Sequence, residues 1–508
     1  MTRIPESVDL FVIGGGINGA GIARDAAGRG LSVILVEKGD LAEGTSSRSG
    51  KLVHGGLRYL ENYEFRLVRE ALIEREVLLE SAPHIIWPMR FVLPHSPQDR
   101  PAWLIRLGLF LYDNLGGRKR LPGTRTLDLT TAPEGVPIKP DYRKAFEYSD
   151  CWVDDARLVV LSALDAQERG ATVLTRTACT GARRDGDQWL VEMEDTRTGA
   201  RRTVRARVLI NAAGPWVTDV VGRVAGVNAT YNVRLVKGSH IIVPKFWEGP
   251  NAYLVQNTDK RVIFINPYQD DKALIGTTDI PHEGSPDDVA IAEDEIDYLI
   301  RAVNRYFNHQ IKRGDVLETY AGVRPLYDDG ESMAQKVTRD YVFELDAHDG
   351  AAPILSVFGG KITTFRKLSE HAMARLKPFF PRLGGDWTAA AHLPGGDIDD
   401  ADFEAFLAEL RARFPFLTPP LARHYGRLYG TRTADLVGNA ESIADLGAQF
   451  GPDFYEREAA YLIENEWAEK ADDILERRTK HGLQMTGDER SAFAAWMANR
   501  EAKKAGAA

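Results

Sequence analysis

The chain has 508 residues, 44% hydrophobic and 27% charged, a composition typical of globular proteins that excludes disordered, collagenous and disulfide-scaffold chains. At roughly 150 residues per domain, this length predicts about three domains. The formal charge of −9 is small for this size, so we expect no nucleic-acid partner.

Cysteine usage and hydropathy bear on the compartment. Cys151 and Cys179 are the only cysteines and lack metal-ligand spacing, so we expect free thiols, a reducing compartment and no metal site. The first six residues lack the order of a signal peptide, and no run approaches the ~18 apolar residues of a membrane-spanning helix. If a membrane is involved, we expect the protein to lie on its surface.

The first 40 residues predict a βαβ unit. Residues 8–13 (VDLFVI) form a short apolar run that indicates a buried strand. Residues 14–30 are rich in glycine and turn into a helical pattern, and residues 31–40 contain a second apolar run. Strand, tight turn, helix and strand within this distance imply a parallel sheet.

The rest of the chain alternates between types of pattern. A surface helix is predicted at 59–81. Strand-like runs follow at 203–216, 240–244, 261–267 and 273–279, the last three in a mainly antiparallel layer, and 354–376 again predicts strand, turn and helix. Residues 383–396 are a plausible linker, and 400–508 are helical in pattern.

The glycine pattern Gly14-x-Gly16-x-x-Gly19 indicates a dinucleotide site. Its glycines permit a tight turn, close approach of a pyrophosphate and close helix–strand packing, and the helix N-terminus offers free N–H groups. Glu37, 18 residues after Gly19, can accept hydrogen bonds from a ribose diol and argues against NADP. The pattern does not separate NAD from FAD. The candidate cofactor-binding residues here are Gly14, Gly15, Gly16, Ile17, Asn18, Gly19 and Glu37.

Several longer motifs carry a resemblance to a known family. They include TSSRSGKLVHGGLRYL (45–60), FEYSDCWVDDARLV, NAAGPWV, KGSHIIVP, IGTTD, GVRPL, SVFGGKITT and PFLTPPLARHYGRLYG, in order along essentially the whole chain. With them the sequence resembles the flavin-dependent glycerol-3-phosphate dehydrogenases, and is most similar to the bacterial aerobic, quinone-reducing type. One departure is Arg48-Ser49-Gly50 before Lys51, where relatives carry a Ser-Ser pair.

The resemblance implies FAD as cofactor and an α/β fold like that of the amino-acid oxidases. A Rossmann-type FAD-binding domain would comprise 1–85, 150–225 and 320–385, and an antiparallel-sheet substrate domain would comprise 86–149 and 226–319. Residues 396–508 would form a C-terminal helical domain, which we interpret as a packing or dimerisation domain and which suggests a homodimer. Further cofactor contacts are expected from Thr45, Ser46, Ser47, Lys51, Ala213, Gly214, Gly359 and Gly360.

The implied reaction oxidises sn-glycerol 3-phosphate to dihydroxyacetone phosphate and passes electrons to a membrane quinone. A phosphate dianion needs cationic donors, which Arg58, Arg324 and Lys361 offer, while Tyr59 and Thr363 can add hydroxyl donors. His54 and His240 are candidates for the base, and His54 is preferred. His54, Arg324 and Lys361 are the predicted catalytic residues, and His240 is also expected to contact substrate.

Two other segments admit two interpretations each. Asp154, Asp155 and Arg157 could do acid–base work, but helix capping and an ion pair are favoured. The apolar segment 103–115, followed by a basic trio at 118–120, fits either a core helix or a helix lying on anionic lipid at the cytoplasmic face of the cell membrane.

Two alternatives to a quinone-linked dehydrogenase remain open. One is an oxidase that passes electrons to oxygen. We see none of the internal insertion that oxidase relatives carry, which favours the dehydrogenase. The other is a flavin-binding sensor without turnover, which would make the cations and histidines incidental.

Overall fold

The computed structural model describes residues 4–96, 100–226, 233–327, 340–347 and 350–506, so parts of the predicted domain ranges lie outside the described residues. The strands are β1 (Ser7–Ile13), β2 (Val33–Val36), β3 (Leu52–Val53), β4 (Ile86–His95), β5 (Arg125–Asp128), β6 (Lys144–Val153), β7 (Thr172–Leu174), β8 (Thr177–Asp185), β9 (Gln188–Asp195), β10 (Arg201–Asn211), β11 (Val233–Pro244), β12 (Ala252–Gln256), β13 (Val262–Tyr268), β14 (Lys272–Gly276), β15 (Ile280–Pro281), β16 (Glu318–Tyr327), β17 (Val342–Asp346), β18 (Ile354–Phe358), β19 (Gln449–Gly451) and β20 (Phe454–Tyr455).

The helices are α1 (Ile17–Gly28), α2 (Phe65–Ser81), α3 (Ala102–Leu115), α4 (Asp155–Glu168), α5 (Val217–Asp219), α6 (Glu293–Tyr306), α7 (Phe365–Leu376), α8 (Phe403–Arg413), α9 (Pro419–Tyr429), α10 (Thr433–Val437), α11 (Glu456–Asn465) and α12 (Gly487–Gly506). A 3₁₀ segment, Leu57–Asn62, precedes α2, so the predicted surface helix at 59–81 is split in two.

The first sheet has eight strands and contains the predicted βαβ unit. Its main path runs β17-β18-β10-β1-β2-β7, and β10, β1, β2 and β7 are parallel, while β8 and β9 extend from β10. Ile13 pairs with both Val36 and Asn211, so three strands end together beside the start of α1. In such sheets, ligands bind beyond the carboxyl ends of the strands.

Small side chains let α1 approach this sheet closely. Ala20, Ala23 and Ala26 are fully buried, and α1 packs on α4 and α7. The strand beneath it is equally apolar, with Leu10 and Phe11 fully buried. Burial on both faces explains the continuous hydrophobic run at 8–13.

The second sheet has ten strands and is mainly antiparallel, as the sequence predicts for 240–279. β11 pairs with β16 over ten residues, and this register sets His240 opposite Tyr320 on one side and Gly276 of β14 on the other. β6 and β16 both belong to this sheet. The predicted boundaries at 150 and 320 therefore fall within two strands of the second sheet, β6 and β16.

The C-terminal region forms a separate hydrophobic cluster around buried side chains of α8 to α12. A short hairpin of β19 and β20 interrupts the helices. A π-helical turn, Asp473–Arg478, carries charged side chains toward the first sheet. The predicted C-terminal helical domain is therefore confirmed.

Helix α3 is amphipathic rather than wholly core or wholly surface. Leu109 is fully buried against α2 and the second sheet, whereas Trp103, Leu107 and Phe110 are 68%, 48% and 56% exposed. Within the part of the chain that the structure describes, no helix has both the length and the hydropathy that crossing a bilayer requires.

The two faces of α3 predict opposite effects of truncation. We expect Leu109→Ala to lower the free energy of unfolding by about 3 kcal/mol, because it opens a cavity in the core. Phe110→Ala, on the exposed face, should change that free energy by less than about 0.5 kcal/mol. Chemical denaturation of the two variants checks this, and equal losses would show that the Phe110 face is packed.

Candidate active site

The glycine turn before α1 leaves no room for a side chain at Gly14 or Gly19. Gly14 has a φ of +110°, and a Cβ there would lie 2.6 Å from the Ala212 carbonyl oxygen. A Cβ on Gly19 would lie 1.9 Å from the Gly14 carbonyl oxygen. These contacts explain why Gly14 and Gly19 are glycines, and the cradle at the α1 N-terminus fits a dinucleotide.

Glu37 closes this cradle from the end of β2. Its carboxylate accepts hydrogen bonds from the backbone N–H groups of Gly15, at 2.7 Å, and Gly39, at 2.9 Å. Burial raises the pKa of Glu37, and the two N–H groups oppose that rise. The carboxylate is thus fixed beside the turn, where it can accept further hydrogen bonds from a ribose.

The loop 44–51, which we call the cofactor loop, folds over the α1 N-terminus. The Ser46 hydroxyl accepts a hydrogen bond from the Ile17 backbone N–H at 3.0 Å, and the Thr45 hydroxyl donates to the Val323 carbonyl at 2.6 Å. Lys51 is buried, and its ammonium contacts Asp155 at 2.8 Å and the Ser47 carbonyl at 3.1 Å. Lys51 thus holds the loop rather than facing the cavity described below.

Backbone from two later segments completes the cradle. Ala213 lies beside Gly14, and Gly214 follows it with a φ of +56°. Gly359 accepts a hydrogen bond from the Asn18 amide at 3.1 Å, and the Asn18 Oδ1 atom is buried with no hydrogen-bond partner. An orphaned buried acceptor beside the cradle is what a ligand with N–H or O–H donors would satisfy.

A cavity of about 640 Å³ begins where the cradle ends and extends to the second sheet. Its walls bring together eleven of the residues predicted from the sequence. These are Ile17, Thr45, Ser46, His54, Arg58, Tyr59, His240, Arg324, Gly360, Lys361 and Thr363. The other predicted residues do not line the cavity and lie around the cradle and the cofactor loop.

His54 stands at the end of β3, on the cavity wall. Its backbone N–H donates to the Thr363 hydroxyl at 3.2 Å, and its ring meets Phe264 edge-on at 6.1 Å between centroids. The next residue, Gly55, is held from behind, because its N–H donates to the buried Tyr112 hydroxyl at 2.8 Å. The His54 backbone is thus fixed from both sides.

His240 is buried and neutral. Its ring stacks on Tyr320 at 4.8 Å, and a Cβ on Gly276 would lie 2.1 Å from the His240 ring, so this neighbour has to be glycine. Burial, with the charges of Arg324 and Lys51, lowers the pKa of His240 to about 3. A group with this pKa binds a proton poorly at neutral pH.

The three predicted cations reach the same cavity from different segments. Arg324, on β16, pairs with Asp279 and donates to the Thr277 hydroxyl at 3.0 Å. The Lys361 ammonium lies 4.0 Å from the centroid of the Tyr59 ring. Arg58 lines the wall one residue before Tyr59. Such a set suits a doubly charged anion, for which arginine forks are well shaped.

Two cavity residues were missed by the sequence reasoning. Asp279 orients Arg324, and the IGTTD motif around it was the available signal. Asn266, on β13, is 1% exposed and donates to the Gly50 carbonyl at 3.4 Å, and nothing in its local sequence marks it.

The preferred interpretation of Asp154 and Arg157 is confirmed, because Asp154 caps α4 by accepting from the Arg157 N–H and Arg157 pairs with Glu466.

Comparison with known proteins identifies the family. Residues 9–366 match the family model described as FAD dependent oxidoreductase, and residues 387–499 match the C-terminal domain of alpha-glycerophosphate oxidase. The solved glycerol-3-phosphate dehydrogenase from Bacillus halodurans, complexed with FAD, superposes with a TM-score of 0.79 at 26% identity, covering 97% of this chain and 91% of that one.

Two curated relatives are similar over nearly their whole length. The D-erythritol 1-phosphate dehydrogenase of Brucella abortus is 67% identical over 97% of this chain and 98% of the relative. The aerobic glycerol-3-phosphate dehydrogenase of Escherichia coli is 52% identical over 97% of each. These matches confirm the predicted fold class and the FAD cofactor. The chain therefore belongs to the FAD-dependent oxidoreductases of the glycerol-3-phosphate dehydrogenase family.

Proposed function

We propose that this chain oxidises sn-glycerol 3-phosphate to dihydroxyacetone phosphate at FAD and delivers the electrons to a membrane quinone. The observation that carries this proposal is the meeting of Arg58, Arg324 and Lys361 with His54 in one cavity that adjoins the dinucleotide cradle. Bound FAD supplies the acceptor for the hydride that leaves the substrate carbon.

The remaining work falls to side chains of the cavity. The three cations bind the phosphate, and Tyr59 and Thr363 add hydroxyl donors. His54 takes the proton from the secondary alcohol as the hydride leaves. The low pKa of His240 supports this choice of base, since a ring that stays neutral down to a pH of about 3 is a weak proton acceptor. His240 instead shapes the wall opposite Gly50.

A second candidate substrate is D-erythritol 1-phosphate. It shares the phosphate ester and a secondary alcohol, and so needs the same cations and the same base. The observation that favours it is the 67% identity to the dehydrogenase that bears its name, against 52% for the relative named for glycerol 3-phosphate.

Flavin bleaching separates these candidates. Anaerobic addition of glycerol 3-phosphate to the FAD-loaded protein should bleach the yellow flavin, while glycerol at equal concentration should not, because it lacks the group that the cations bind. If the ratio of the flavin reduction rate to the dissociation constant is higher with D-erythritol 1-phosphate than with glycerol 3-phosphate, D-erythritol 1-phosphate is the better candidate substrate. No bleaching by either phosphate contradicts the proposed reaction.

The electron acceptor is tested by reoxidation of the reduced flavin. Reoxidation that is faster by a quinone than by air supports the quinone, and the reverse favours the oxidase.

Replacing the proposed base tests its role directly. We expect His54→Asn to retain FAD and its absorption spectrum, while the rate of flavin reduction by substrate falls by about 10³-fold, within the range for loss of a general base. His240→Asn is the matched comparison and should lower this rate by less than His54→Asn does. Undiminished reduction in His54→Asn would remove His54 as the base.

An exposed apolar patch supports the membrane part of the proposal. We name Tyr63, Phe65, Trp103, Leu107 and Phe110 the α3 patch; they are five of the seven large hydrophobic side chains found exposed among the described residues. Tyr63, Phe65 and Leu107 also line the cavity. An apolar patch of this kind marks an interaction surface, and a lipid-soluble quinone would reach the cavity across it. The inner, cytoplasmic face of the cell membrane and a homodimer remain predictions.

Vesicle binding tests the α3 patch. Trp103→Glu together with Phe110→Glu should reduce the fraction of protein bound to anionic lipid vesicles by about tenfold, because two apolar contacts are replaced by negative charges. FAD content and anaerobic flavin reduction should stay at wild-type values. Val136→Glu is the matched control, since Val136 is 77% exposed outside the patch. Equal binding by the double variant and the wild type would exclude the patch as the lipid contact.

A further inference from the structure

The C-terminal domain contacts the first sheet through buried charges. Arg478 is fully buried and binds Asp40, which follows β2, with one contact at 2.8 Å. Arg157 of α4 binds Glu466, with one contact at 3.0 Å. Arg176 binds Asp473 at 2.6 Å. These contacts attach the C-terminal domain to the dinucleotide-binding side of the molecule, and one more of them reaches the cofactor loop.

That contact runs through two adjacent acids at the start of α4. Lys480, from the C-terminal domain, binds Asp154. Asp155, the next residue, binds the Lys51 ammonium at 2.8 Å and accepts from the Ser49 hydroxyl at 2.7 Å. The acid pair thus has the C-terminal domain on one side and the cofactor loop on the other.

All four charged groups are secluded from water. Lys51 is 3% exposed, Asp155 fully buried, Lys480 5% and Asp154 7% exposed. Burial lowers the pKa of Lys480, Asp154 opposes that shift, and the charge of Lys51 adds to it. The two lysines therefore interact electrostatically across the acid pair. A buried charge requires its partner, so displacing Lys480 changes the balance around Lys51 as well.

Backbone conformation gives a second observation. Lys51 and Lys480 have φ angles of +57° and +59°, in the left-handed region that non-glycine residues seldom occupy. Such conformations persist where the surrounding contacts over-determine them. Here both lysines that bind the acid pair are held in this left-handed conformation.

We propose that the C-terminal domain positions the cofactor loop for FAD binding, with Lys480 as the positioning residue that acts through Asp154 and Asp155. The inference rests on the proposed contact between the cofactor loop and FAD. It assigns the C-terminal domain a role in holding cofactor, although that domain lines neither the cradle nor the cavity within the described residues.

The test measures FAD release from diluted holoenzyme by flavin fluorescence. Lys480→Met should raise the dissociation constant for FAD about tenfold, the usual scale for loss of an outer partner of a binding group. Lys51→Met should raise it at least as much. Arg432→Met is the matched control and should not change it, because Arg432 joins the C-terminal domain to Glu168 at the far end of α4.

A double variant distinguishes positioning from general stability. Asp154→Asn with Lys480→Met removes both charges and keeps a good helix cap. We expect its melting temperature to lie closer to the wild-type value than that of Lys480→Met does. Its affinity for FAD should stay below that of the wild type, and its backbone hydrogen exchange at 45–51 should stay above it. Full recovery of FAD affinity together with stability would overturn the proposal. Wild-type FAD affinity in Lys480→Met would overturn it too. Wild-type FAD affinity in Lys51→Met would instead contradict the proposed contact between the cofactor loop and FAD.

Discussion

The buried pair of Lys51 and Asp155 is the interaction on which the site depends. It fixes the cofactor loop, which contacts the α1 N-terminus through Ser46 and leads directly into β3, so it helps to determine where both Ser46 and His54 stand. Because both charges are secluded, neither partner can be lost without leaving the other unpaired, at a cost of about 3 kcal/mol or more. The cradle on the first sheet and the cavity against the second sheet are thereby kept in one fixed relation.

The cavity gathers positive charge within an acidic protein. The net charge of −9 conceals a small group of cations that the fold brings together from three distant segments. Asp279 orients Arg324 by pairing with it, and burial keeps His240 neutral among these charges. The result is a wall that attracts an anion, and His54 stands on the same wall. The same cavity opens toward the α3 patch, which links the site to the proposed lipid surface.

Local patterns predicted the first βαβ unit well, because Gly19 is required by a contact within the turn itself and Gly14 by a contact with Ala212, just after β10. The resemblance supplied most of the cavity residues, since they lie in motifs. Long-range register was beyond prediction. β16 pairs with β11 in the second sheet although its sequence neighbours continue toward the first sheet, and Asn266 enters the cavity only through strand pairing. α3 divides into a buried and an exposed face because of the helices and strands that cover one side of it.

We expect the cations of this one cavity to bind the phosphate while His54 faces the reacting alcohol. A crystal structure of the FAD-loaded protein with dihydroxyacetone phosphate tests this most directly. The phosphate should contact Arg58, Arg324 and Lys361, and the ketone oxygen should lie within hydrogen-bond reach of His54. A phosphate bound outside this cavity, or a ketone turned toward His240 instead, would contradict it.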